Sequence, residues 1–228
     1  MIVAVHQPQY LPWLGYFDKI DQADIFVILD NVQYKKNEYQ NRNRIKTAQG
    51  WQWITVPVKY RFPEKIIEVA INNEVDWRRK HHTALLSNYN RSAYFKDYSS
   101  FFEDLYQRDW ILLANLNTYI IEYIIKQIKI ATKIVKASDL ELSSDPTQRL
   151  IDICKGLGAD TYLAGAGGRE YMDVDSFEKS GIKVVFQEFQ HPVYEQLYGK
   201  FESYMSVVDL LFNHGPKSME IISKYRKK

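Results

Sequence analysis

The sequence predicts an α/β fold, a mainly parallel open sheet with a mostly helical insert. Three observations carry that reading. Apolar, β-branched runs near residues 1–5, 23–30, 134–138, 161–164 and 182–186 stop abruptly at polar residues or glycine, as strands buried on both faces do. Helical punctuation separates the last three runs, and strand–helix–strand–helix–strand closes by right-handed crossovers into a parallel sheet. After Asp76 the β-branched runs give way to long amphipathic patterns. Residues 1–75 and 131–228 are therefore expected to form the α/β core, and 76–130 a helical insert or subdomain.

The elements follow in order. The first run ends at His6 and meets Pro8 and Pro12, which lack backbone donors and cannot continue a strand. Gly15 permits close backbone approach just before a helix over 16–22. Gly50 separates two β-rich runs, 41–47 and 51–58, and predicts a hairpin. Residues 64–72, with Ile66, Ile67, Val69 and Ile71, predict one more short strand. Helices are expected over 76–108, broken near 88–92, and over 110–130. Asp145, Pro146 and Gln148 are a helix start: a capping carboxylate, proline at the first position, and Gln three residues on. That helix ends near Gly156 or Gly158. A short helix over 176–179 and another over 207–212, stopped at Gly215 and Pro216, complete the chain before a basic tail.

Composition narrows the function classes. The 228 residues carry 30 Lys and Arg against 28 Asp and Glu, so a formal charge of +2 gives no electrostatic case for nucleic acid. Seventeen Tyr and five Trp exceed what a core needs, and a ring with a polar tip suits a lined cleft as well as a core edge. The single Cys154 excludes an intramolecular disulfide and lies on the apolar stripe of its helix, where a buried thiol is inert. The most apolar stretch, 110–130, is interrupted by Asn115, Asn117, Glu122, Lys126 and Gln127, too often for a membrane span. No basic segment followed by an apolar run marks a leader. A cytoplasmic protein is the expectation.

The candidate chemistry gathers at strand ends, because open α/β sheets bind ligands outside the carboxyl ends of their strands. His6 ends the first strand, where it either anchors a loop or acts on phosphate or a proton. Gly165, Gly167 and Gly168 follow a later strand and can turn backbone N–H groups to an anion. They match neither G-x-G-x-x-G nor a Walker loop. Arg42 and Arg44 alternate with Asn41 and Asn43 on a strand, so two guanidiniums share one face and suit phosphate or carboxylate. A solvated strand face is the alternative. Asp30 closes the second strand and could bind metal or ribose, or cap a turn. His191 with Gln196 could add to the same edge. Adjacent His81 and His82 are poorly placed for a shared metal, and no H-E-x-x-H or Cys/His cluster is present, so no metal site is expected.

Taken in order, the His6–Phe17 segment, the Asn41–Ile45 segment, residues 55–58, Gly165–Gly168 with Tyr171, His191–Gln196 and Ser206–Phe212 resemble the WbqC-like protein family over nearly the whole chain. The resemblance implies a bacterial protein associated with surface-polysaccharide (O-antigen) biosynthesis. A weaker, architectural likeness goes to the H-x-G-H nucleotidyltransferases and pantothenate synthetases, which also end their first strand at a His and meet phosphates at a helix start. It implies a Rossmann-like, nucleotidyltransferase-like architecture, although no second His follows at that spacing.

The combined expectation is a nucleotide-dependent transferase or ligase acting on a sugar nucleotide or small metabolite. The alternative is a non-catalytic small-molecule or glycan-binding protein of the same pathway. His6, Arg42, Arg44 and His191 are the candidate catalytic residues. Gln7, Tyr10, Trp13, Gly15, Asp30, Asn41, Gly165, Gly167, Gly168, Tyr171 and Gln196 are the candidate ligand-binding residues. ATP or another nucleotide with Mg²⁺ is the cofactor to test, and a homo-oligomer stays open.

Overall fold

A computed structural model describes residues 1–170 and 172–226. The first third holds β1 (Ile2–His6), α1 (Leu14–Asp21), β2 (Ile25–Ile28), β3 (Arg42–Thr47), β4 (Gly50–Thr55), β5 (Val58–Lys59) and β6 (Ala70–Ile71). Three helices follow, α2 (Trp77–Tyr89), α3 (Phe95–Gln107) and α4 (Leu113–Gln127). The remainder holds β7 (Lys133–Lys136), α5 (Pro146–Gly156), β8 (Thr161–Ala164), α6 (Val174–Lys179), β9 (Lys183–Phe186), α7 (Val207–His214) and α8 (Ser218–Ile222).

Five strands make one all-parallel sheet in the order β7-β2-β1-β8-β9. The expected mainly parallel α/β fold is thus what the chain adopts. Ribbons β3–β4 and β5–β6 are antiparallel pairs outside that sheet. They and α2–α4 occupy the long connection between β2 and β7.

Strand alternation sends neighbouring residues to opposite faces. Val3, Val5, Ile25, Val27, Tyr162 and Ala164 pack against Ile151, Ile153 and Cys154 of α5 and Phe177 of α6. Ala4, Phe26, Ile28 and Leu163 face a larger core with Phe17 and Ile20 of α1, Ile120 and Ile124 of α4, and Leu211 of α7. Burial on both faces explains why the strands read as continuous apolar runs. Truncating a fully buried side chain here, such as Phe26, costs about 3–5 kcal/mol.

Local chemistry fixes most boundaries. Asp145 caps α5 by accepting from the Gln148 amide at 2.8 Å, with Pro146 at the first position. The β3–β4 hairpin turns between Thr47 and Gly50, whose φ of +120° suits glycine. The expected strand over 64–72 is mostly not one. Glu68 accepts from the Lys65 amide at 2.7 Å and closes a 3-10 turn over Ile66–Glu68, leaving two residues for β6. A local side-chain bond competes with the ladder there and wins.

Candidate functional site

The chain leaves β1 towards β2 on one side and returns from β7 to β8 on the other. The sheet order therefore reverses between β1 and β8, the place where doubly wound sheets open a crevice. His6 ends β1, and Gly165 follows β8. A cleft of about 410 Å³ lies over these ends, lined by His6, Gln7, Lys19, Lys35 and the Gly165, Gly167 and Gly168 segment. A second lobe of about 280 Å³ shares His6, Lys19, Gly165 and Gly167 and adds Trp13, Gly15, Gln187 and Phe189.

Lys19 is the central charge. Every residue of α1 from Leu14 to Ile20 is buried, Lys19 included, and its Nζ donates to the Val5 carbonyl at 2.9 Å. The nearby carboxylates are spoken for: Asp18 and Asp21 both pair with Arg226 at 2.6 Å. Burial lowers the Lys19 amine to about 7. Among the described residues this cation has no carboxylate partner, and it is open to an external anion.

His6 plays a different part. Burial and then the charge of Lys19 lower its pKa to about 4, so the imidazole is neutral at pH 7. Its Nδ1 lies 3.1 Å from the Gln7 carbonyl. A carbonyl only accepts, so the proton sits on Nδ1 and Nε2 carries a lone pair. Tyr16 packs edge-on at 4.9 Å and fixes the ring.

Two glycines shape the walls. A Cβ on Gly15 would lie 2.2 Å from the Trp13 ring, so only glycine lets that indole lie across the start of α1. A Cβ on Gly165 would meet its nearest atom, Lys19 Nζ, at 3.9 Å, so bare backbone faces the amine. Gln187 closes the far side by donating to the Gly15 carbonyl at 2.9 Å and to Asp18 at 2.5 Å.

The two lobes bring together His6, Gln7, Trp13, Gly15, Gly165, Gly167 and Gly168 of the residues singled out in the sequence. The others lie elsewhere. Tyr10 is sealed in the core, its hydroxyl 2.8 Å from His81 and 2.7 Å from Tyr106. Asp30 sits at the same sheet edge but accepts from the Ser138 amide and hydroxyl, at 3.0 and 2.8 Å. Asn41 donates to the Val56 carbonyl. Gln196 donates to buried Asp209 at 2.7 Å. His191 has both ring nitrogens engaged, by the Pro192 carbonyl and the Tyr204 amide. Arg42 and Arg44 lie on the hairpin, over Trp53 and Trp51 at 4.4 and 5.0 Å. Tyr171 lies outside the described residues.

Lys19 and Gln187 were missed in the sequence. Lys19 had a signal: it stands four residues after Gly15, on the same helix face. Among the described residues no group of three or more His, Cys, Asp or Glu side chains is placed to hold a metal. The larger cleft lining contains lysines and no carboxylate, so its donor set fits phosphate oxygens and does not fit a protein-held Mg²⁺. A more open groove of about 480 Å³ between α2 and α3 is lined by charges that satisfy one another, Arg78 with Asp109 and Arg79 with Asp76.

Fold and cleft together define an α/β protein of the doubly wound, Rossmann-like class, with a cationic crevice at its switch point. The model of the WbqC-like protein family matches residues 7–221, and the chain belongs to that family. It is 38% identical over 229 residues to "Uncharacterized protein Rv1507c" of Mycobacterium tuberculosis (strain ATCC 25618 / H37Rv), covering 99% of both chains. No solved structure matches it. No helix among the described residues is long and apolar enough to cross a membrane.

Proposed function

We propose that the crevice binds the phosphates of a nucleotide or sugar nucleotide, and that the protein is a cytoplasmic transferase or ligase of bacterial surface-polysaccharide biosynthesis. The observation that carries this reading is the buried Lys19 amine, without a carboxylate partner among the described residues, beside bare backbone at Gly165. An anion entering there raises the amine's pKa and fixes its proton, which supplies charge where a leaving phosphate develops it. Neutral His6, with Nε2 as acceptor, is suited to accept a hydrogen bond from an acceptor hydroxyl or amine and to orient it, while its lowered pKa makes it a weak base. Arg42 and Arg44 stand on the hairpin and line neither lobe of the crevice, so they are not assigned to the leaving phosphate.

A second reading, a non-catalytic glycan binder, draws on exposed Trp51 and Trp53. Thermal shift against ATP, CTP and UDP-sugars, with and without Mg²⁺, tests the first. A shift with one nucleotide class that is lost in Lys19→Gln supports it. The absence of any shift removes nucleotide binding and leaves the glycan reading.

A further inference from the structure

The β3–β4 hairpin holds a group of side chains that neither the core nor the crevice uses. Trp51 and Trp53 alternate on one face of β4 and are about 40% exposed, at 43% and 38%. Tyr39 packs on Trp53 with ring centres 5.9 Å apart, and Tyr204 packs on Trp13 at the same distance. Trp13, Tyr39 and Tyr204 line a pocket of about 220 Å³. That is below the 300–1,000 Å³ of drug-sized sites, which limits it to about one ring. Trp13 also lines the smaller lobe of the crevice, so pocket and crevice meet at one indole.

The same face carries two cations. Arg44 reaches the Tyr204 carbonyl at 3.2 Å, and Arg42 the Asn37 carbonyl. Neither pairs with a carboxylate among the described residues, and the Nε of each is buried without an acceptor. Contact with the tryptophan faces explains how the guanidiniums are held. It leaves most of their donors unspent, and a planar fork of unspent donors matches carboxylate or phosphate.

We infer that Trp13, Tyr39, Tyr204, Arg42 and Arg44 form a subsite for one acidic sugar ring. The apolar face of the ring lies in the aromatic pocket, and its carboxylate or phosphate is taken by the two arginines. This deepens the sugar-directed part of the reading above and does not depend on nucleotide binding at Lys19.

The test is calorimetric titration with D-glucuronate, glucose 6-phosphate and methyl glucoside on wild type, the Arg42→Gln/Arg44→Gln double variant, Tyr39→Ala and Lys19→Gln. Melting curves confirm that each variant is folded. At least one acidic sugar should bind saturably and methyl glucoside should not. The double variant and Tyr39→Ala should each weaken binding tenfold or more, and Lys19→Gln less than twofold. Glucuronate and glucose 6-phosphate behaving alike means that charge is read, and a preference for one names the anion; both support the subsite. Binding lost in Lys19→Gln assigns the anion to the crevice and overturns the inference. So does binding that survives either hairpin variant, or no binding of either acid.

Discussion

The amine of Lys19 reaches the carbonyl of Val5, 2.9 Å away, from the last turn of α1 to the final residues of β1. One hydrogen bond to a neutral acceptor offsets little of the cost of burying an ammonium. The protein therefore keeps a charge at its sheet edge that destabilises the empty fold. Burdens of that kind concentrate at functional sites.

The pH dependence follows from this position. Folding lowers the Lys19 pKa from 10.5 to about 7, so between those values the unfolded chain holds a proton that the folded chain lacks. Stability then rises with pH across that window, and the full penalty, up to roughly 5 kcal/mol at 1.36 per pKa unit, is present below about pH 7. Lys19→Met removes the penalty and also the bond to Val5. We expect its melting temperature to exceed wild type by several degrees at pH 6, with the gap narrowing towards pH 10. An equal gap at both pH values would show that the amine's charge is not what matters.

His6 titrates on the acid side. Its folded pKa of about 4 lies below the usual 6.5, so the stability held by the neutral ring is complete above pH 6.5 and lost as pH falls to about 4. His81 is lowered to the same value, also mainly by burial. His6→Ala should therefore flatten part of the acid unfolding limb and leave the His81 part. At pH 7.5 the variant should lose turnover or ligand binding, with a melting temperature within a few degrees of wild type. A large fall in melting temperature with binding intact at low temperature would make His6 part of the scaffold.

Asp209 holds the irregular 187–206 segment to the body of the protein. It is fully buried and accepts from Tyr89 at 3.0 Å, Tyr194 at 2.8 Å and Gln196 at 2.7 Å. Lys46 reaches Gln196 at 3.1 Å and also the Lys200 carbonyl. Asp209→Ala strands three donors at once, so a loss of about 3–5 kcal/mol is expected. Limited proteolysis should then cut first between residues 187 and 206. Uniform cleavage along the chain would contradict a local anchor.

Cys154 is fully buried, and burial pushes its thiol up to about 12. Thiolate is the reactive form. Labelling by a thiol reagent at pH 8 should follow global unfolding, with a rate that rises only as denaturant opens the chain. Fast labelling of native protein would refute this.

The main sheet was legible because two buried faces turn each strand into an apolar run, and because Asp145, Pro146 and Gly50 carry local signals that need no tertiary partner. The strand-end position of His6 was legible for the same reason. Lys19 was harder: a lysine in a helix normally reads as solvent-facing, and its burial depends on β1 and β8 packing over α1. His191 and Gln196 point the other way. Their sequence neighbourhood resembles a site, yet their partners Tyr204 and Asp209 stand 13 residues on, across an irregular segment whose path the sequence does not specify, and only the fold shows that their bonds are already made. Trp51 and Trp53 could have been found, since alternate strand residues share a face.

The glycines of the crevice separate fold from site. Gly15→Ala would put a methyl 2.2–2.7 Å from three atoms of the Trp13 ring, so the indole must leave. A large side chain leaves its packing against Phe189, at 5.3 Å, and Tyr204, a cost of about 1–3 kcal/mol that outweighs the gain of up to 1 kcal/mol from alanine in a helix. Gly165→Ala meets nothing closer than Lys19 Nζ at 3.9 Å and lies at no glycine-specific φ. Its methyl stands where a ligand atom would approach the amine. We therefore expect Gly15→Ala to melt several degrees lower and Gly165→Ala to melt within about 2 °C of wild type. Nucleotide-induced thermal shift should nevertheless fall tenfold or more in apparent affinity for Gly165→Ala. If Gly165→Ala binds nucleotide as wild type does, the ligand does not lie between Gly165 and Lys19, and the phosphate site must be sought elsewhere.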